Sequence, residues 1–230
     1  IVCAKIIKMR NLKLKCLSVH IGSQITNINP FKKVLSVINK IILKTKVNFK
    51  FIDLGGGMGI SYSNNEKKLD INKYAKIVSK FIKSKKTQII FEPGRFIVGN
   101  SAILISKVIY IKKNKKKFFM ILDAGMNDLM RPALYNAHHK IIPLKKSGHN
   151  MPGSVEFVGP ICESTDKFSS YKKFPKIREG DFVAITDVGA YGMSLSSNYN
   201  ERPKISEILV SKSKHKLIKK RQSLENLINS

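Results

Sequence analysis

The chain has 230 residues, with 43 Lys and Arg against 15 Asp and Glu, giving a net charge of +28. With 43% hydrophobic and 25% charged residues it has a globular rather than a disordered composition, and its length suits one large domain or two small ones. No run approaches the roughly 18 uninterrupted apolar residues of a membrane span, Ile1-Val2-Cys3-Ala4-Lys5 shows no signal-peptide pattern, and three scattered cysteines (Cys3, Cys16, Cys162) exclude a disulfide framework or a Cys-rich zinc site and favour a reducing, cytoplasmic setting.

The charge invites a nucleic-acid partner. Of the 43 basic residues, however, 37 are Lys and only 6 are Arg, and Ile (31) and Asn (17) are also abundant. This is the bias of an A+T-rich genome, whereas base reading leans on bidentate Arg. The lysines therefore read as a solvated surface, although their field attracts anions, phosphorylated cofactors included. The absence of an initiator Met leads us to expect a piece of a longer chain.

The first apolar run, Lys15–Ile21, reads as a strand ending in His20-Ile21-Gly22-Ser23. Phe31, Val34, Leu35, Ile38, Ile41 and Ile42 then fall on one face of a helix. A second strand, Phe49–Leu54, breaks at Gly55-Gly56-Gly57. Ile71, Tyr74, Ala75, Val78, Phe81 and Ile82 repeat the helical spacing, with Asp70 as N-cap. A third strand, Gln88–Phe91, ends in Glu92-Pro93-Gly94-Arg95. The strand ends near positions 20, 55 and 92 have the spacing of βα units and predict parallel strands. In such sheets chemistry gathers at the C-terminal strand ends. After Gly99 the texture changes to short β-like runs, Ala102–Ile111, Phe118–Leu122, Ser154–Val158 and Asp181–Thr186, with a helical tail over Gln222–Ile228. We expect a boundary near residue 100: a βα domain over 1–100 and a mostly antiparallel β domain over 101–230.

Each strand end carries a candidate. Gly55-Gly56-Gly57-Met58-Gly59 is either a tight turn or a phosphate cradle whose missing Cβ atoms bare the N–H groups. His20 can stack on a flat ring, act as acid or base, or be a packed histidine. Ser23 can cap a turn or donate to a phosphate. In Glu92-Pro93-Gly94-Arg95 the carboxylate can pair with a protonated ring nitrogen and the guanidinium can grip an anion. A surface Pro-Gly turn explains Pro93 and Gly94 but not the flanking charges. In the β domain, Arg131 and Tyr135 suit carboxylate binding. Cys162 and Glu163 pair a thiol with a carboxylate, for proton donation and ammonium binding. Tyr191 sits between glycines. Each of these last three is also compatible with an ordinary β loop.

Together the segments HIGSQI (His20–Ile25), DLGGGMGI (Asp53–Ile60), FEPGR (Phe91–Arg95), DAGMNDLMRPALY (Asp123–Tyr135), GPICESTD (Gly159–Asp166) and GAYGMSLSSNYNERP (Gly189–Pro203) resemble the diaminopimelate decarboxylases, pyridoxal-phosphate (PLP) enzymes of the alanine-racemase-like barrel type. They occur in family order across nearly the whole chain. The resemblance implies an α/β plus all-β fold, the C-terminal part of a PLP-binding (β/α)8 barrel followed by a mostly antiparallel β domain.

It also implies that His20 stacks on the cofactor ring. Ser23, Gly55, Gly56, Gly57, Pro93, Gly94 and Arg95 would surround the phosphate, Glu92 would pair with the ring nitrogen, and Tyr191 would touch cofactor and substrate. Arg95, Arg131 and Tyr135 would hold substrate carboxylate. Cys162, as proton donor, and Glu163, on the distal end of the substrate, would reach into the partner subunit's site. The implied reaction is meso-2,6-diaminopimelate to L-lysine and CO2, in a cytoplasmic homodimer with shared sites and no metal, nucleic acid or membrane. Family chains are nearly twice as long and carry the cofactor lysine in an N-terminal Tyr-Ala-x-Lys-Ala-Asn-like segment that has no counterpart here; Cys3-Ala4-Lys5 lies too close to His20. The expectation is a C-terminal fragment, inactive alone, with too few strands for the eight of a closed barrel. Two alternatives are a related ornithine, arginine or carboxynorspermidine decarboxylase, which shares HIGSQ, GGG and EPGR, and a non-enzymatic Lys-rich nucleic-acid-binding protein.

Overall fold

Apolar runs alternating with amphipathic stretches lead, in the first hundred residues, to strands joined by helical crossovers. The computed structural model describes residues 2–63, 66–83 and 85–229. The chain forms two compact units, Ile1–Gly99 and Asn100–Ser230.

The first unit contains α1 (Val2–Ile7), β1 (Cys16–Ser18), α2 (Ile28–Thr45), β2 (Phe51–Asp53), α3 (Ile71–Ile82), β3 (Gln88–Ile90) and α4 (Arg95–Val98). Its sheet has the order β1-β2-β3 and both pairs are parallel, with Leu17, Ile52 and Ile89 in register. Parallel pairing brings the three C-terminal strand ends to one edge. α2 starts at Asn27, whose side chain accepts from the Asn29 N–H, and buries Phe31, Leu35 and Ile38. α3 starts at Asp70, whose carboxylate accepts from the Lys73 N–H at 2.9 Å, and buries Tyr74 and Val78. The two helices meet through an edge-to-face contact of Phe31 with Tyr74, ring centroids 4.7 Å apart. Burial of the Tyr74 hydroxyl pushes its pKa up to about 12. The strands are shorter than their apolar runs, because pairing ends where the chain turns toward His20, Gly55 and Glu92.

The second unit contains β4 (Leu104–Asn114), β5 (Lys117–Leu122), α5 (Arg131–Tyr135), β6 (Ile141–Pro143), β7 (Ser154–Val158), β8 (Lys167–Tyr171), β9 (Phe182–Ile185), β10 (Glu207–Ser211), β11 (Lys214–Lys219) and α6 (Leu224–Ile228). Six strands form one sheet, β6-β9-β4-β5-β7-β8, antiparallel except for the parallel β5–β7 pair; β10 and β11 form a separate antiparallel hairpin. Val108, Met120, Leu122, Phe157, Val183 and Ile185 are fully buried in its core. β4 outruns its apolar stretch, because Lys112 and Lys113 pair with Phe119 and Phe118 of β5. Sequence patterning leaves out α1, α4, α5, β6, β8, β10 and β11. β6 has three residues and ends in Pro143, β8 buries only Phe168, and β10 and β11 are almost wholly exposed, so none carries an apolar period.

Candidate functional site

In the first unit, Asp53 closes β2 and its carboxylate holds the turn that follows. Oδ2 accepts from the Ser18 hydroxyl at 3.0 Å, and Oδ1 from the Gly55 N–H at 2.8 Å. The glycine run is wedged between the ends of β1 and β3. The Glu92 N–H donates to the Gly55 carbonyl at 3.0 Å and the Ile25 N–H to the Gly57 carbonyl at 2.9 Å. A Cβ on Gly56 would lie 2.3 Å from the Glu92 carbonyl oxygen, and one on Gly57, at φ +85°, 2.3 Å from that of Gly22. Close backbone approach therefore explains these glycines by itself. A Cβ on Gly55 would stand 3.1 Å from His20 Nδ1, and one on Gly56 4.0 Å from His20 Cε1, so the imidazole lies beside the turn. His20 is exposed.

Around this turn, Gln24 takes a left-handed conformation (φ 56°) and its amide grips Ile60, donating to its carbonyl and accepting its N–H. Arg95, the first residue of α4, donates to the Ser23 hydroxyl at 3.4 Å and to the buried Tyr62 hydroxyl, with its guanidinium 5.7 Å from the Tyr62 ring centroid. HIGSQI, DLGGGMGI and FEPGR thus converge at one sheet edge. The donor set suits PLP. The Gly56 and Gly57 N–H groups donate to no acceptor among the described residues, and with the Ser23 hydroxyl and Arg95 they offer anion donors. The Glu92 carboxylate offers an acceptor for a protonated nitrogen and His20 a flat ring.

In the second unit the three remaining segments also converge, through side chains. Asp166, 3% exposed, accepts the Met126 N–H at 2.7 Å on one carboxylate oxygen and the Ile161 N–H at 2.9 Å on the other. A Cβ on Gly159 would meet that carboxylate at 2.1 Å. Arg202 donates from Nε to Asn127 Oδ1 at 3.0 Å, donates to the Asp123 carbonyl, and lies 4.0 Å from the Asp128 carboxylate. Burial raises both Asp128 and Asp166 above the ordinary carboxylate value, while Arg202 and backbone N–H groups pull them back down. These contacts present the Cys162–Glu163 loop. Cys162 is exposed, and Glu163 accepts from the Tyr199 hydroxyl at 3.0 Å, which raises the Tyr199 pKa. Tyr135 is 64% exposed at the end of α5; Tyr191, in a left-handed conformation (φ 59°), is 47% exposed. Arg131 is buried, and its guanidinium donates to His139 Nε2 at 2.8 Å.

Sequence reasoning passes over Asp53, Gln24, Tyr62, Asp128, His139, Tyr199 and Arg202, and reads Asp166 only as a carboxylate beside the Cys162 thiol. Asp53 is signalled by its place between a strand and a glycine run. The others carry no spacing signal, because each acts on a segment distant in sequence. Among the described residues, no helix is long and apolar enough to cross a membrane.

Residues 16–189 match the family described as pyridoxal-dependent decarboxylase, C-terminal sheet domain. The chain belongs to that family. It is 38% identical to the diaminopimelate decarboxylase of Aquifex aeolicus over 225 residues, covering 96% of this chain and 53% of the relative. To that of Zymomonas mobilis it is 39% identical, covering 97% and 54%. A crystal structure of a variant of Helicobacter pylori diaminopimelate decarboxylase complexed with L-lysine superposes with a TM-score of 0.89 at 38% identity, over 99% of this chain and 57% of that one. The chain spans about half the length of the curated relatives it matches. The fold is the one expected: the C-terminal part of a PLP-binding barrel followed by a mostly antiparallel β domain.

Proposed function

We propose that this chain forms part of a diaminopimelate decarboxylase, converting meso-2,6-diaminopimelate to L-lysine and CO2. The observation that carries the reading is the 38–39% identity to diaminopimelate decarboxylases along at least 96% of this chain. The LMRPALY, CES and SNYNERP segments, which favour the diaminopimelate branch over the related decarboxylases, support it.

In this reading Ser23, Gly55, Gly56, Gly57, Pro93, Gly94 and Arg95 hold the phosphate of PLP, Glu92 its ring nitrogen, His20 its ring face, and Tyr191 contacts it. When bound, PLP supplies an electron-accepting ring that takes up the charge left as CO2 departs. Arg95, Arg131 and Tyr135 hold substrate carboxylate, and the surrounding positive field favours a dicarboxylate. Glu163, oriented by the Tyr199 hydroxyl, holds the distal ammonium, and Cys162 donates the proton from Sγ. Cys162 and Glu163 serve the partner's site in a cytoplasmic homodimer. No stretch of this sequence resembles the family's cofactor-lysine segment, so the activity requires a complementary portion that carries it.

The test is expression of this chain together with the complementary N-terminal half of the Helicobacter pylori relative. The assembly is supplied with PLP and offered meso-diaminopimelate, L-ornithine, L-arginine and carboxynorspermidine. Lysine and CO2 from meso-diaminopimelate alone are expected. CO2 released preferentially from a diamine precursor overturns the substrate, and lysine formed by the 230-residue chain by itself overturns the need for the complementary portion.

A further inference from the structure

His139 is the largest polar side chain of the second unit that is fully buried, at 0% exposure. It immediately precedes the segment that enters β6, and both of its ring nitrogens are engaged. Nε2 faces the Arg131 guanidinium at 2.8 Å, and Nδ1 faces the Thr186 carbonyl at 2.9 Å. A guanidinium has only N–H groups to give, and a carbonyl has only lone pairs. One state of the ring satisfies both neighbours: neutral, with the proton on Nδ1 and Nε2 bare. Any other state sets an N–H against an N–H or a lone pair against a lone pair in a dry site, where an unmade hydrogen bond is costly.

The two partners differ in rigidity. Arg131 opens a five-residue helix, α5, too short to hold its own shape. Thr186 follows β9, which lies between β6 and β4 and whose Val183, Ala184 and Ile185 are all fully buried. The Thr186 N–H donates to the Lys140 carbonyl at 2.9 Å. Its hydroxyl donates to Asp187 at 2.7 Å, at the start of the turn that leads to Tyr191. His139 therefore ties the first residue of a short helix to a strand with three fully buried residues.

We infer that His139 is a positioning residue that fixes the Arg131 guanidinium for carboxylate binding and couples it to the strand exit bearing Tyr191. This rests on the proposed function for the role of Arg131; the state of the ring does not. Burial is the main cause that lowers the pKa of the imidazole, to about 4; Arg131 and His138 add to it, and the Thr186 carbonyl and Asp187 act in the opposite direction.

The first arm of the test is 15N–1H NMR of the 230-residue chain with labelled histidine. The signals that vanish in His139→Gln identify the ring. They should show a protonated Nδ1 and a bare Nε2 at pH 7, unchanged on acidification to pH 5.5. An Nε2–H tautomer, or a midpoint near the ordinary value of about 6.5, overturns the inference. The second arm uses the assembled decarboxylase with meso-diaminopimelate. His139→Leu removes the acceptor for a charged donor and should raise KM about ten- to hundredfold with a much smaller change in kcat. His139→Gln, which restores an acceptor toward Arg131, should recover most of that loss at an equal thermal midpoint. Equal KM values for Leu and wild type, or a Gln variant as impaired as Leu, overturn the positioning role. An Arg131→Ala variant with unchanged KM overturns the carboxylate role of Arg131 instead, and leaves the NMR result standing.

Discussion

The two units gather their motif segments by different means. In the first, the edge of the parallel sheet is built from main chain: glycines pressed against carbonyls, N–H groups donated across strand ends, and one carboxylate, Asp53, holding the turn. In the second, loops are held by side chains, the buried Asp166, Asn127 and His139 and the half-buried Arg202. A backbone-built site tolerates no added atom, whereas a side-chain-built site fails when a polar partner is removed and its mate stays buried. Substitutions of either kind should therefore fail in different ways.

The largest effect should come from Gly57→Ala. The new methyl would enter 2.3 Å from the Gly22 carbonyl oxygen at a positive φ, and that neighbour is backbone and cannot swing aside. Overpacking and left-handed strain together should cost about 3 kcal/mol or more, read as a lowered urea midpoint. A Gly57→Ala variant as stable as wild type would mean that the strand ends can part, and the main-chain account of this site fails. In the second unit, Asp166→Ala should cost about 2–4 kcal/mol by stranding the Met126 and Ile161 N–H groups. Asp166→Asn, which keeps one acceptor, should fall between. If Ala and Asn are equivalent, Asp166 acts through volume rather than through its two acceptor oxygens.

The same difference decides what could be read from the sequence. The two amphipathic helices, the three parallel strands and the boundary region carry periodicity, and Asp70 sits at a cap with a direct sequence signal. The glycine run is visible because backbone crowding leaves a mark in residue type. Asp166, Arg202 and His139 leave none, since a carboxylate, guanidinium or imidazole is ordinary until its distant partner is known. Arg131 illustrates the gap: its type and neighbours suggest anion binding, but its bond to His139 depends on a pairing between β6 and β9 that no local pattern announces. β10 and β11 are hidden for another reason, because strands exposed on both faces have no alternation to detect.

A pH titration separates His139 from the buried carboxylates by sign. The folded pKa of His139, about 4, lies below the ordinary value of 6.5. Between those values the unfolded chain takes up a proton that the folded chain refuses, so stability falls as pH drops from 6.5 and levels off near 4, by up to about 3 kcal/mol. Asp128 and Asp166 have raised values, so they add stability on acidification into their own window. The wild-type curve mixes both signs. The difference between wild type and His139→Gln in urea midpoints from pH 7 to pH 4 isolates the histidine and should slope downward toward acid. A flat difference would show that the ring is protonated in the fold as easily as out of it.

The smallest expected effect lies at the exposed Tyr199–Glu163 pair. The Glu163 carboxylate accepts the phenol proton at 3.0 Å, and this hydrogen bond is the main cause of the raised Tyr199 pKa, with the charge of Glu163 second. A solvated pair of this kind contributes little to stability, so thermal midpoints should not resolve Tyr199→Phe from wild type. Phenolate absorbance should resolve it: in Glu163→Gln the Tyr199 transition should move down toward its ordinary value of about 10. The transition can be assigned by its loss in Tyr199→Phe. An unmoved transition would show that the two side chains do not meet in solution, and Glu163 would then lack the hydroxyl that orients it toward a substrate ammonium.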